Sequence, residues 1–340
     1  MPRKLFVLSI LFMFFAAAYS GAKTPVETNG GQIFIVKSRI RNKKIIITDN
    51  LGREIDYRIK GICYAPDTAG EIFCQTYTQD IPLIQAAGAN SIKTYRPLGC
   101  YDEGGNFIYE SSKELLDACL KAGITVSAGF CCEDMAEGGL MEQYLKMFGR
   151  HPALLMIVLG NEYNYHYGEW FTKEEWLSRL ASAVKRARKY MPDRIIAVSH
   201  GEMPSKEEYG EYVKAGVDYI MMNMYRGSNF GFSKSHWDKI SPAMPWGVSE
   251  FGRSSLDAAG RDTSKLQAAQ LQTLIRCMEN GYLFTLVDDP GKGAFEFSHV
   301  IGREDGMGIY DKDRNPKRAV CVVKEEYDKI PGECCLFGVR

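Results

Sequence analysis

From residue 58 onward, short apolar runs alternate with longer amphipathic stretches. The apolar runs are residues 59–64, 91–95, 124–128, 154–159, 195–199, 219–224, 246–248 and 282–287. The stretches after them are residues 79–87, 111–122, 139–148, 172–190, 205–214, 233–240, 264–280 and 317–329, and each predicts a helix. The runs are continuously apolar, as strands are when both faces are covered. Alternating strand and helix predicts a parallel sheet. Eight units in roughly 270 residues is the span of a closed (β/α)8 barrel. An open doubly wound sheet needs a glycine-rich phosphate loop after an early strand, and Gly61-Ile62-Cys63 is not followed by those glycines. Ser111 with Glu114 and Thr172 with Glu175 have the spacing of capping boxes that start helices. Upstream, residues 32–47 alternate and are rich in Ile and Val. Asp49-Asn50-Leu51-Gly52 is a turn signal, and a second strand-like run follows to residue 59. The fold class is therefore α/β: a TIM barrel preceded by a short N-terminal β-hairpin.

The first residues read differently. Arg3 and Lys4 precede an apolar stretch from residue 5 to 18, and small residues continue to Ala22. This is the pattern of a secretory signal peptide, and it is short for a membrane span. The expected division is a signal peptide over 1–22, an extension and hairpin over 23–57, and the barrel over 58–340. A secreted or periplasmic protein is expected, with no stable membrane span once the signal is cleaved. Formal net charge is zero over the 340 residues, which argues against a nucleic-acid partner. All ten cysteines follow residue 22. Export makes disulfides plausible, with connectivity open. Cys131-Cys132 and Cys334-Cys335 are adjacent pairs expected to bond outward or stay as thiols. Cys119, Cys277 and Cys321 lie in helical stretches and are expected to fill the core.

Chemistry is expected at the C-terminal ends of the strands, where barrel enzymes place it. Two glutamates stand there. Glu162 follows the fourth apolar run in Leu159-Gly160-Asn161-Glu162, and Glu250 follows the seventh in Trp246-Gly247-Val248-Ser249-Glu250. Two carboxylates from different strands are the minimum equipment for breaking a glycosidic bond. Asn161 precedes the first glutamate, and Tyr225 ends strand six. His200 ends strand five, and Asp288 and Asp289 end strand eight; all three could reach substrate. Asp67, Glu133 and Asp134 also stand at predicted strand ends. Residues 163–170 carry four large aromatic rings, Tyr163, Tyr165, Tyr167 and Trp170, suited either to sugar stacking or to packing. A serine nucleophile elbow is absent, because Gly247-Val248-Ser249-Glu250-Phe251 misses the final glycine. The five histidines are scattered, with no zinc spacing. No metal or other cofactor is implied.

These motifs resemble the retaining (β/α)8 glycoside hydrolases that carry the acid/base on strand four and the nucleophile on strand seven. The nearest look is to the barrel domain of family 2 glycosidases and to family 72 glucanosyltransferases. Lys60-Gly61-Ile62-Cys63-Tyr64 is similar to their first strand, and the segment Gly88 through Tyr95 to their second. Gly160-Asn161-Glu162 is similar to the acid/base motif, Asn223-Met224-Tyr225 to strand six, and Ser249-Glu250-Phe251-Gly252 to the nucleophile strand. Gly308-Ile309-Tyr310-Asp311 and Asn315-Pro316-Lys317 look like the exit from strand eight. The resemblance implies Glu162 as acid/base, Glu250 as nucleophile, Asn161 as a contact to a sugar hydroxyl and Tyr225 as the partner of the nucleophile. Lys93 stands where these families carry an arginine and is placed in the substrate site. The end of strand eight, Asp288-Asp289-Pro290, has no tryptophan of the kind that often floors their sugar site. The implied activity is hydrolysis or transglycosylation of β-linked oligosaccharides or polysaccharides, β-glucan first. A glycan-binding barrel without turnover is the alternative.

Overall fold

The structure is a computed structural model, and it describes residues 34–66, 73–225, 230–292 and 302–330. The expected signal peptide, Asp67 and the Cys334-Cys335 pair lie outside the described residues.

The N-terminal sheet is antiparallel, as its alternation predicts, and has three strands: β1 (Ile35–Arg41), β2 (Lys44–Asp49) and β3 (Glu54–Tyr57). The described part of the long run, residues 34–47, folds back on itself. Asn42 and Lys43 both have positive φ, 52° and 58°, the backbone of a two-residue hairpin turn.

The barrel follows in chain order. Its strands are β4 (Lys60–Cys63), β5 (Ser91–Lys93), β8 (Thr125–Phe130), β9 (Leu154–Asn161), β10 (Ile195–Gly201), β11 (Tyr219–Asn223), β12 (Val248–Phe251) and β13 (Gly281–Leu283). Each pairs in parallel with the next, and β13 closes onto β4. A small antiparallel pair, β6 (Cys100–Tyr101) and β7 (Phe107–Ile108), interrupts the second unit. Helices α1 (Phe73–Ala86), α2 (Tyr109–Lys121), α3 (Leu140–Phe148), α4 (Lys173–Tyr190), α5 (Lys206–Lys214), α6 (Gly231–Ile240), α7 (Ser264–Arg276) and α8 (Arg318–Lys329) follow the strands in turn. Strands β8, β10 and β11 are buried along their whole length, which is why they read as unbroken apolar runs.

The interior is filled by side chains. The Tyr282 hydroxyl on β13 lies 3.2 Å from the Ser91 hydroxyl and 2.5 Å from that of Ser127. A Cβ on Gly61 would stand 2.2 Å from the Tyr282 ring, so this strand needs glycine there to admit the tyrosine.

Helix starts are mixed. Thr172 and Glu175 form the expected capping box, and Ser205 with Glu208 forms another. The box expected at Ser111 does not form. Helix α2 begins at Tyr109 straight out of β7. Ser111 instead accepts from the Cys100 N–H at 2.9 Å and donates to the Ile108 carbonyl at 2.6 Å, tying the hairpin to the helix. Cys74 and Cys100 form a disulfide. Cys131 and Cys132 are free thiols, and Cys119 is buried as expected, but Cys277 is half-buried and Cys321 is exposed on α8 rather than in the core.

Candidate active site

Strand ends deliver the groups. In β12 the register against β11 shifts at Ser249, from Met222 opposite Val248 to Asn223 opposite Glu250, and Glu250 is 5% exposed. Three donors converge on its carboxylate. The Lys93 ammonium, 1% exposed at the end of β5, lies 3.0 Å from Oε1. The Tyr95 hydroxyl donates to the same oxygen at 2.6 Å, and the Tyr225 hydroxyl donates to Oε2 at 2.8 Å. Burial by itself pushes the Glu250 carboxyl up. The Lys93 ammonium and the hydrogen bonds from Tyr95, Lys93 and Tyr225 outweigh it, and the group sits below its ordinary value.

Glu162 is treated in the opposite way. It leaves β9 with left-handed backbone, φ 57°, and its N–H donates to the Ser199 carbonyl of β10 at 3.0 Å. A non-glycine residue held in this region costs of order 1 kcal/mol and is typical of functional sites. Burial raises its carboxyl, the Glu250 charge raises it further, and the result is about 7 despite the opposing pull of Asn223 and Lys93. One carboxyl is thus held ionised while its neighbour keeps its proton near neutral pH.

A buried polar layer fixes the frame. The Lys93 ammonium also reaches Asn161 Oδ1 at 3.2 Å and the Ser249 carbonyl at 3.4 Å. Asn223 Nδ2 donates to the same Asn161 oxygen at 3.3 Å, while Asn223 Oδ1 accepts from Ser199 at 2.9 Å and from Ser249. With two donors on its oxygen, the Asn161 amide is oriented, and its N–H groups are left for the cavity that it lines. That cavity, about 250 Å³, is bounded by Lys93, Tyr95, Arg96, Cys131, Asn161 and Tyr163 among others. It adjoins an outer cleft that shares Arg96 and Cys131.

The structure gathers Glu162, Glu250, Asn161, Tyr225 and Lys93 into one site. It does not bring His200 there. Ser199 faces the interior, so His200 faces the helix layer, edge-on to Tyr212 of α5 at 5.7 Å. Its Nδ1 pairs with the Glu202 carbonyl at 3.1 Å. Asp288 is committed to Lys317 at 2.6 Å and to the Gly308 N–H at 2.9 Å, which ties the exit of strand eight to the start of α8. Asp289 is 5% exposed and lies in a small recess with Tyr64, Phe284 and Lys292; its Oδ2 has no hydrogen-bond partner among the described residues. Asp134 accepts from the Cys131 N–H at 3.1 Å and shapes the turn after β8.

Three site residues carry weaker signals in the sequence. Tyr95 stands two residues after Lys93 and so points the same way, and Asn223 bears the same relation to Tyr225; alternation alone could have flagged both. The third is Phe284, just past β13. Its ring stands edge-on to Tyr95 and Tyr225, each at 6.4 Å, and gives the site an aromatic wall beside the two phenols that hold Glu250. Among the described residues, no three His, Cys, Asp or Glu side chains are grouped to hold a metal ion.

The chain matches no protein-family model and no curated protein. Its fold is shared by many solved structures. A beta-D-glucuronidase from Dictyoglomus thermophilum matches 87% of this chain and 54% of its own, at 17% identity and a TM-score of 0.63. A beta-glucuronidase from Faecalibacterium prausnitzii matches 89% and 52%, at 17% identity and 0.61. A GH2 beta-galacturonidase from Eisenbergiella tayi matches 87% and 55%, at 18% identity and 0.54. The chain spans about half the length of each. At these identities the likeness is one of fold, and the shared fold is the barrel of the family 2 glycosidases that the strand-end motifs resemble.

Proposed function

We propose that this protein is a retaining β-glycosidase, with Glu250 as nucleophile and Glu162 as acid/base. The observation that carries the reading is the opposed treatment of the two carboxyls at the ends of β9 and β12. Paired groups whose surroundings drive them apart mark acid and base roles. Glu250 Oε2, with one donor against two on Oε1, is the freer oxygen for attack on the anomeric carbon. As the bond from that carbon to Glu250 forms, the bond to the leaving oxygen breaks, and Glu162 gives its proton to that oxygen. Glu162, now a carboxylate, takes a proton from the incoming hydroxyl, whose oxygen displaces Glu250. Two inversions give retention. Water as acceptor gives hydrolysis, and a sugar hydroxyl gives transglycosylation. The free N–H groups of Asn161 suit a sugar hydroxyl. The resemblance makes β-glucan the first substrate to try. The neighbours of shared fold include β-glucuronidases and a β-galacturonidase, so uronides belong beside it. The basic, apolar and small-residue pattern over 1–22 supports export of the protein.

Product analysis by mass spectrometry tests this reading. The protein is mixed with β-glucan, mannan, xylan, galactan and uronide oligosaccharides, with Glu250→Gln as control. Shorter or longer products that vanish in the control are expected. Products that persist in the control remove Glu250 from its role. Binding by both proteins without products makes this a glycan-binding barrel.

A further inference from the structure

The aromatic loop after β9 is sorted by the structure into two kinds of ring. Tyr163 packs inward, 4.7 Å from the Trp176 ring, and its hydroxyl accepts from the Cys132 N–H at 2.9 Å. Tyr167 packs against Phe171. Trp170 is exposed and stacked on His166 at 3.6 Å. Tyr165 is 54% exposed, and its place is unlike the others. A Cβ on Gly201 would stand 2.4 to 2.8 Å from three consecutive atoms of the Tyr165 ring. Ser199 faces the barrel interior, so position 201 faces the mouth. The ring therefore fills the space an inward side chain would take, resting on the end of β10 three residues past Glu162.

The platform is held from below. Tyr165 N–H donates to the Glu162 carbonyl at 2.9 Å. The Asn164 amide grips both backbone groups of Gly201, donating to its carbonyl at 3.0 Å and accepting its N–H at 2.7 Å. An exposed ring fixed in this way has its ordering cost already met when a flat partner arrives. The line from Glu162 on β9 to Glu250 on β12 divides the barrel mouth. The 250 Å³ cavity lies to one side, against β5 and β8, and Tyr165 to the other, over β10.

We infer that Tyr165 is a specificity-determining residue for the leaving group: its ring stacks the pyranose that departs past Glu162, and the substrate class is an oligosaccharide rather than a glycoside with a small leaving group. The inference rests on the reading of Glu162 and Glu250 as the catalytic pair.

The test compares two donors of the same sugar, β-D-glucosyl fluoride and β-1,3-glucohexaose. The fluoride has no ring to stack. In Tyr165→Ala the ratio of kcat/KM for the hexasaccharide to that for the fluoride falls about tenfold, the worth of one stacked ring, and Tyr165→Phe keeps the ratio. An unchanged ratio in Tyr165→Ala, or an equal fall in Tyr165→Phe, overturns the assignment. Calorimetric binding of the hexasaccharide to Glu250→Gln, with and without Tyr165→Ala, separates this from the catalytic reading. Weaker binding in the double variant upholds the platform even where wild type shows no turnover. Equal binding in both, or none in either, overturns it.

Discussion

Lys93 decides how Glu250 behaves. A carboxylate buried this deeply is tolerable only because an ammonium stands 3.0 Å away with two phenols beside it. In Lys93→Met the burial that pushes Glu250 up is no longer opposed by the cation. Its carboxyl moves above the ordinary carboxylate range, and the acid limb of the kcat/KM profile moves up with it. Stability follows the same sign. In the wild type a depressed folded value contributes stability above the unfolded value, lost as pH falls through the folded one. In the variant the value is raised, so the deficit is largest near neutral pH and shrinks on acidification. Denaturant unfolding at pH 7 and pH 5 checks this; a deficit independent of pH would remove Lys93 from the account. In the proposed mechanism Glu162 sets the other limb. It must carry its proton to act, so activity falls as pH rises through about 7. Glu162→Ala should be nearly inactive on natural glycans, should recover in part on an aryl glycoside whose leaving group needs no proton, and should lose the alkaline limb. An alkaline limb that survives the substitution assigns it to another group.

At the scale of elements, helix α4 shows what local chemistry is worth. The Thr172 hydroxyl accepts from the Glu175 N–H at 3.1 Å, and the Glu175 carboxylate accepts from the Thr172 N–H at 2.7 Å. Thr172→Ala opens this box and should cost about 1 kcal/mol. The denaturant midpoint should fall with an unchanged slope. The box was legible because both its residues act on their own backbone. Ser111 has the same spacing, yet β7 delivers the chain into α2 two residues earlier, and a distant backbone group, Cys100 N–H, claims the serine. The barrel strands were legible for the physical reason that they are covered on both faces. Which strand-end residues turn inward was less so, because it depends on phase. One residue separates inward Ser199 from outward His200, and a bulge at Val198/Ser199 resets the register between β9 and β10. Glu162 and Glu250 were readable because each closes an apolar run. Phe284 was not, since the apolar run over 282–287 gives no sign that the ladder ends at Leu283.

The molecule as a whole keeps stability and chemistry at opposite ends. Barrel strands carry function at their C-terminal ends, and the other end is free to be tied down. Here the N-terminal sheet does the tying. Ser38 of β1 donates to the Leu155 carbonyl at the start of β9 and accepts from the Ile195 N–H at the start of β10. The Tyr57 hydroxyl donates to the Asn90 carbonyl just ahead of β5. Arg194 is the main strap. It is 3% exposed and donates to the carbonyls of Ile35, at 3.0 Å, and Val36 in β1, and to His151 ahead of β9 at 3.4 Å. Burial pushes its guanidinium down to about 10, still charged at neutral pH. Arg194→Met should remove the side-chain donor from all three carbonyls; that of His151 keeps the Leu154 N–H at 2.9 Å, and each carbonyl left dry and unpaired should cost about 1–3 kcal/mol. The melting temperature should fall by several degrees. Values of kcat/KM measured well below the transition should match the wild type, because no residue of the strap reaches the C-terminal ends where Glu162 and Glu250 stand. A loss of activity in step with stability at 25 °C would mean that the two ends of the barrel are coupled.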